Sequence, residues 1–539
     1  MKSSNLVKIG GILFFIGVIF IIYSWNSSYP ITIPPIDDNI FFNFFPTLWP
    51  GIIFSLLGLF FMAYFSKISI IKVICSSLVP LFLYIPAFYF SYISSSDCGN
   101  VRGMFQIFQK IGLNSQVIPY FEFPSYFSLN EIIHYVVGFN EKGIALLSFI
   151  LYGVLLGLFL YMFFSHLQKK QDIQLIPFLL VFIFFIGMFS FLNYQWVPQT
   201  LALVYFFLLL YISTYMLSSP IKIEWEFLFI LLFIPLLFAH AILPMIFLLF
   251  FCILTFKKRY LFPILLVMIS FYFIVIFYQT VIHFHLYVVT FEQSISGFGG
   301  EYAKSVSNSF KAPSDLIDQI ISFFNRITIP MIWIIAFIGI SILFLKKKIN
   351  YLLISLGLVG FLYLGVGMFF SVLGLRAAQM LFISLPVGFM FFISKWKKLT
   401  IALIVIILIL SVFGPMRTAY NYTQFQTDEE AVASDFLGTK ILNVTNAKVA
   451  ISQVNWGYST SKYSYLIDFA IRPGSSKFLF FNNSLNKKEY IVYNSNLGKE
   501  ILEYVLTKEQ LYNELRDFKV NNKIYDGGIT FIINGVNRK

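Results

Sequence analysis

Apolar runs long enough to cross a bilayer as helices, about 20 residues each, alternate with short polar loops along most of this chain. The pattern predicts helices near 8–24, 48–66, 69–94, 143–165, 174–192, 197–217, 225–238, 241–256, 260–282, 329–345, 350–372, 376–394 and 399–414, about thirteen crossings. The segments flanking Ala239-His240 are short for two full crossings. Two half-helices meeting at a break that is buried or faces water is one way to build them. From about residue 415 the pattern changes. An amphipathic stretch opens at Asp428-Glu429-Glu430, with Thr427 in N-cap position, and runs through Leu442. Val449-Ala450-Ile451 and Tyr490-Ile491-Val492-Tyr493 read as strands, 508–518 as a helix, and 523–531 as a hairpin around Asp526-Gly527. The expected fold is an all-α polytopic membrane bundle over 1–414 with a small extracytoplasmic α/β domain over 415–539.

Charge orients the bundle. Lys169-Lys170, Lys257-Lys258-Arg259, Lys346-Lys347-Lys348 and Lys395-Trp396-Lys397-Lys398 occupy every second loop, and the loops between them are poor in Lys and Arg. Basic loops stay cytoplasmic. The N-terminus is then cytoplasmic, and segments 25–47, 95–142 and 283–328 fall outside together with the tail. The Asn-x-Ser/Thr sequons at Asn26, Asn421, Asn443 and Asn482 all land on that outer side. The first apolar segment begins like a signal peptide but lacks a clear small-residue cleavage site, so it reads as a retained helix.

Composition agrees with a membrane protein: 58% of residues are hydrophobic and 12% charged, too few charges to cover a soluble surface of this size. The formal net charge of +13 raises nucleic acid as a partner. The basic clusters flank apolar spans, so orientation in the plasma membrane accounts for the excess. Cys75, Cys98 and Cys252 are widely separated and show neither zinc-ligand spacing nor a disulfide framework.

Polar residues at the outer ends of the spans carry the candidate chemistry, because charge within lipid is costly and tends to face a cavity. Asp97 follows the third span, and the stretch after it holds two helical segments, closing at Gly112 and Gly138, around Pro119-Tyr120-Phe121-Glu122-Phe123-Pro124. Asn193-Tyr194-Gln195-Trp196-Val197-Pro198-Gln199 is a tight turn with Pro198 suited to a first helical turn. His240 interrupts apolar sequence, and Arg376 opens a late span. Each also has a plain structural account. Asp97 can simply end a helix, Trp196 can sit at the interface, His240 can be satisfied by a backbone carbonyl, and Arg376 can snorkel. Asp37-Asp38 reads as a solvated pair. His283-Phe284-His285 lacks the acids of a metal site. Gly297-Phe298-Gly299-Gly300 lacks the strand and helix of a phosphate loop.

In order, these pieces resemble the integral-membrane glycosyltransferases of the GT-C superfamily, in particular prokaryotic, archaeal-type members. The shared layout is an acid after an early span, a helix–Gly–YFxxP–helix–Gly outer loop, and an N-x-x-x-x-P-Q turn. A His between short spans, an Arg opening a late span and an outer α/β tail complete it. The resemblance implies transfer of a sugar from a polyprenyl-phosphate or polyprenyl-diphosphate donor to a glycan, lipid or protein acceptor outside the cytoplasm. It implies Asp97 as general base. Asn100, Arg102, Glu122, Gln199, His240 and Arg376 would line the substrate site, with Arg376 on the donor phosphate. The outer-loop helices, roughly 101–111 and 127–137, would lie along the interface. No metal ligand set is implied, although a divalent cation, Mg or Mn, is compatible with this chemistry. The chain departs from the group in two ways: Asn100 stands where many relatives have His, and Asp97 has no acidic neighbour. If the first outer loop is the equivalent one, Asp37 or Asp38 takes the acidic role. A transporter or flippase for a lipid-linked or polar substrate is the alternative reading, since transporters also use broken helices and isolated charges.

Overall fold

The computed structural model describes residues 3–28, 47–88, 92–93, 124–139, 141–167, 198–218, 223–240 and 242–277. It also describes short strands in the C-terminal part and scattered helical positions at 105–109, 334–345, 352–362 and 406. The described residues are predominantly helical. In chain order the helices are α1 (Ser3–Ser28), α2 (Leu48–Phe65), α3 (Ser69–Phe88), α4 (Pro124–Val137), α5 (Glu141–Leu167), α6 (Pro198–Ser218), α7 (Ile223–Leu237) and α8 (Ile242–Lys257). α9 (Arg259–Phe277) opens with a 3-10 turn at Arg259–Leu261. Among the described residues, α1, α2, α5, α6 and α9 are long and apolar enough to cross a bilayer, whereas α3 and α8 are shorter in their apolar stretch. This is a membrane protein by its helices.

α1 and α2 pack antiparallel through glycines seven residues apart on each. A Cβ at Gly58 would lie 2.5 Å from the Phe14 nitrogen and 2.7 Å from the Gly10 carbonyl. One at Gly51 would lie 3.0 Å from the Gly17 carbonyl. Small residues let helix backbones meet where lipid offers no hydrophobic drive for association. Gly157 of α5 crosses α3 the same way, its missing Cβ 2.5 Å from the Ser76 carbonyl.

Ring contacts set the directions of α5 to α9. At one end His166 meets Tyr215 at 4.5 Å, Tyr215 stacks on Trp225 at 5.5 Å, and the Tyr260 hydroxyl donates to the Met216 carbonyl at 3.0 Å. The last turns of α5 and α6, the first turn of α7 and the start of α9 therefore share this end. Lys258 and Arg259 lie in the α8–α9 turn there. α7 and α8 form an antiparallel hairpin: Phe229 faces Phe251 at 5.0 Å and Phe233 faces Phe247 at 6.2 Å, which folds the pair at residue 240. The starts of α5 and α6 and the hairpin apex thus share the opposite end.

Helix boundaries follow the pattern closely for α2 and α5 to α9. Two differ. α1 is longer at both ends than 8–24, because the polar residues flanking its apolar stretch carry no helix breaker. α3 ends at Phe88 rather than near 94, and Tyr92–Ile93 form β1, paired antiparallel with β2 (Phe425–Gln426). Further on, β3 (Val449–Ile451), β4 (Tyr490–Asn494), β5 (Lys523–Asp526) and β6 (Thr530–Asn534) form a four-stranded sheet in the order β3-β4-β6-β5. β3 and β4 run parallel, and the other pairs are antiparallel. The helices expected at 428–442 and 508–518, the spans 174–192 and 376–394, and the interiors of most outer segments lie outside the described residues.

Candidate functional site

The end that gathers the starts of α5 and α6 with the α7–α8 apex is where sequence reading puts the outer surface. α7 has 15 residues and α8 has 16, so each arm spans only about 22–24 Å. That falls short of the roughly 30 Å hydrocarbon core, and the carbonyls at the apex need partners within the protein. Four of them are paired. Phe238 N donates to Ile234 O and Ala239 N to Leu236 O, each at 3.2 Å. Two further donors come from the loop that carries Asp97. Ser125 N donates to Phe238 O at 3.1 Å, and Ser125 Oγ to Pro235 O at 3.4 Å. Pro124 leads α4 and has no N–H to satisfy. The positive start of α4 therefore sits on the negative end of α7, a favourable alignment of helix dipoles.

His240 stands at the apex, and its role there is definite. Its Nδ1 accepts the amides of Ile242 at 3.1 Å and Leu243 at 3.4 Å. Residue 244 is a proline and brings no amide, so the imidazole caps two of the donors at the start of α8. Nδ1 is thereby held as an acceptor.

Gln199 and Thr200 are buried in the first turn of α6, directly after Pro198. α4 and α7 both contact α6. Gln199 and His240 thus share one end of the bundle with α4 between the loop and the helix tips. α4 is locked to α5 by a buried polar link: Asn130 Nδ2 donates to Tyr126 O at 2.9 Å, and Ser148 Oγ donates to Asn130 Oδ1 at 2.8 Å. Gly138 ends α4 with φ +73°, its amide donating to His134 O at 2.8 Å, as a left-handed C-cap should. Upstream, Phe105 and Phe108 are buried, and Phe108 lies 5.9 Å from Phe127 of α4, so the two loop segments pack on each other.

Asp97, Asn100, Arg102, Glu122 and Arg376 lie outside the described residues, as do Asp37 and Asp38. Among the described residues no group of three or more His, Cys, Asp or Glu gathers to hold a metal, and Cys75 and Cys252 are free thiols. Sequence reading missed the Asn130–Ser148 link and Glu131, whose Oε2 is buried with no hydrogen-bond partner. Their signal was available: an Asn-Glu pair within an otherwise apolar helical stretch of an outer loop.

No protein-family model matches the chain, and no curated protein matches it.

Proposed function

We propose that this protein is an integral-membrane glycosyltransferase with a GT-C-like fold, a multi-pass protein of the plasma membrane with a cytoplasmic N-terminus. It takes a sugar from a polyprenyl-phosphate or polyprenyl-diphosphate donor and transfers it to an extracytoplasmic glycan, lipid or protein. Asp97 takes the proton of the acceptor hydroxyl as its oxygen attacks the anomeric carbon. The bond from that carbon to the donor phosphate breaks, and the polyprenyl phosphate leaves with the bonding pair. Arg376 neutralises the phosphate, and Asn100, Arg102, Glu122, Gln199 and His240 bind the substrates. The bundle of about thirteen spans and an outer α/β tail belong to this reading.

The observation that carries it is the seating of α4 on the α7–α8 apex through Ser125. The loop that holds Asp97 in sequence thereby reaches the helix ends that hold His240 and Gln199. Two further observations support it. The hairpin arms stop short of a full span, so their apex lies at or below the membrane surface and needs partners from the loop above it. The β1–β2 pair joins the chain just ahead of Asp97 to the chain just after the last expected span.

Short hairpins also suit a flippase, and one experiment separates the two. The purified protein is given a farnesyl-phosphate-linked hexose and water-soluble or lipid acceptors, and hexose transfer is measured. Wild type transfers the sugar, and Asp97→Asn inserts normally with transfer reduced by at least about a hundredfold, the usual scale of acid–base catalysis. Movement of the lipid across vesicles without transfer, unaffected by Asp97→Asn, overturns the enzymatic reading.

A further inference from the structure

Glu131 lies in the middle of α4, and one of its carboxylate oxygens, Oε2, is buried without any hydrogen-bond partner. A buried acceptor without a partner in the protein is unfavourable and calls for a donor. The polar groups nearest to it in sequence are engaged elsewhere. Asn130 is spent on Tyr126 O and Ser148, and His134 Nδ1 is engaged with Phe139 O at 2.6 Å.

Its position along the helix points to what supplies the donor. Phe127, Glu131 and Tyr135 are successive turns of one face. Phe127 is fully buried against Phe108, in the segment that follows Asp97. Tyr135 is 77% exposed. Glu131 therefore sits at a rim, between the packed junction of the two outer-loop segments and the open surface. Glu131 shares the face of α4 on which Phe127 meets Phe108, whereas Asn130 on the neighbouring face holds α4 to α5.

We infer that Glu131 is a substrate-binding carboxylate that accepts hydrogen bonds from hydroxyl groups of the sugar held under α4. A carboxylate is an acceptor only, and sugar hydroxyls are abundant donors that reach a rim without carrying charge into lipid. Bonds of this kind to an ionised group are stronger than those between neutral groups. The inference rests on the glycosyltransferase reading and adds a residue to it.

Its test uses lipids with and without the sugar. Affinities of the full-length protein in nanodiscs are measured for farnesyl phosphate and for farnesyl phosphate carrying glucose, mannose or N-acetylglucosamine. Glu131→Gln is expected to lose on the order of tenfold in affinity for the preferred sugar-bearing lipid and to bind bare farnesyl phosphate as wild type does. Ser148→Ala loosens α4 without touching the carboxylate and shifts both kinds of lipid alike. Should Glu131→Gln fail to insert, Glu131→Asp keeps the charge, draws it back from the sugar and gives the same selective loss to a smaller degree. Equal affinity of wild type and Glu131→Gln for every lipid, or an equal loss for both kinds, overturns the role of Glu131 alone. A wild type that binds sugar-bearing lipids no better than farnesyl phosphate overturns the transfer reading and the role of Glu131 with it.

Discussion

The backbone amide of Ser125 donates to the carbonyl of Phe238 across 3.1 Å, tying the first turn of α4 to the apex of the α7–α8 hairpin. Residue 125 belongs to the loop that follows Asp97, and residue 238 lies two positions before His240. This bond and the adjoining one from Ser125 Oγ to Pro235 O occupy carbonyls that a helix end leaves unpaired. Replacing Ser125 by Pro removes the amide while suiting an early helical position. The Phe238 and Pro235 carbonyls both lose their donor, and the expected result is a loss of about 1–3 kcal/mol of local stability for each. Hydrogen exchange should quicken across 124–139 while α1 and α2 stay protected. Ser125→Ala loses only the longer hydroxyl bond and should change exchange little.

His240 combines a cap with a place at the candidate site, and two substitutions separate these roles. Asn can accept amides at a helix start, whereas Ala cannot. His240→Ala should cost about 1 kcal/mol of thermal stability as well as activity. His240→Asn should keep most of that stability and still impair transfer. Equal activity in His240→Asn and wild type would reduce the histidine to a cap.

Asn130 and Ser148 bury one hydrogen bond between α4 and α5 at 2.8 Å. Ser148→Ala strands the Asn130 carbonyl oxygen, and a buried acceptor without a partner costs about 1–3 kcal/mol. Replacing both, as Asn130→Leu with Ser148→Ala, removes donor and acceptor together and should cost less than the two single changes combined. A double-mutant cycle read by thermal unfolding gives the coupling.

Gly58 has no room for a side chain, since its Cβ would meet backbone atoms of Phe14 and Gly10. Gly58→Ala should destabilise the α1–α2 pair by about 1–3 kcal/mol, the usual scale of overpacking. Gly11, where a Cβ meets nothing within 4 Å, should accept Ala without loss. Thermal unfolding of both variants tests the contact.

Sequence reading anticipated the membrane helices among the described residues because apolar length is a local property. It anticipated the start of α6 at Pro198 and the end of α4 at Gly138, because these residues restrict the backbone themselves. It could not anticipate the end of α3. Residues 86–94 are mostly apolar and aromatic, so hydropathy carries the span past Pro86 and Ser91, and Tyr92–Ile93 are a strand paired with Phe425–Gln426, at the far end of the chain. The α7–α8 hairpin was left open between two short spans and two half-helices, since hydropathy marks a break but not a fold-back. The facing phenylalanines decide it. The glycines of α1 and α2 recur every seven residues in each helix, a signal that composition alone does not expose. At the site, His240 and Gln199 were legible as polar residues at apolar ends. Glu131 was legible as half of an Asn-Glu pair, whereas its orphaned oxygen emerges only with side chains in place.

The central claim is that the loop after the third helix closes over the α7–α8 apex to hold a polyprenyl-linked sugar. Photolabelling tests it most directly. A farnesyl-phosphate-linked hexose with a diazirine on the sugar is irradiated with the full-length protein in nanodiscs, and labelled peptides are mapped by mass spectrometry. Labels are expected within 95–142 and at 238–243, displaced by excess unlabelled donor. Labels confined to the lipid-facing sides of α1 and α9, unaffected by competitor, would contradict it.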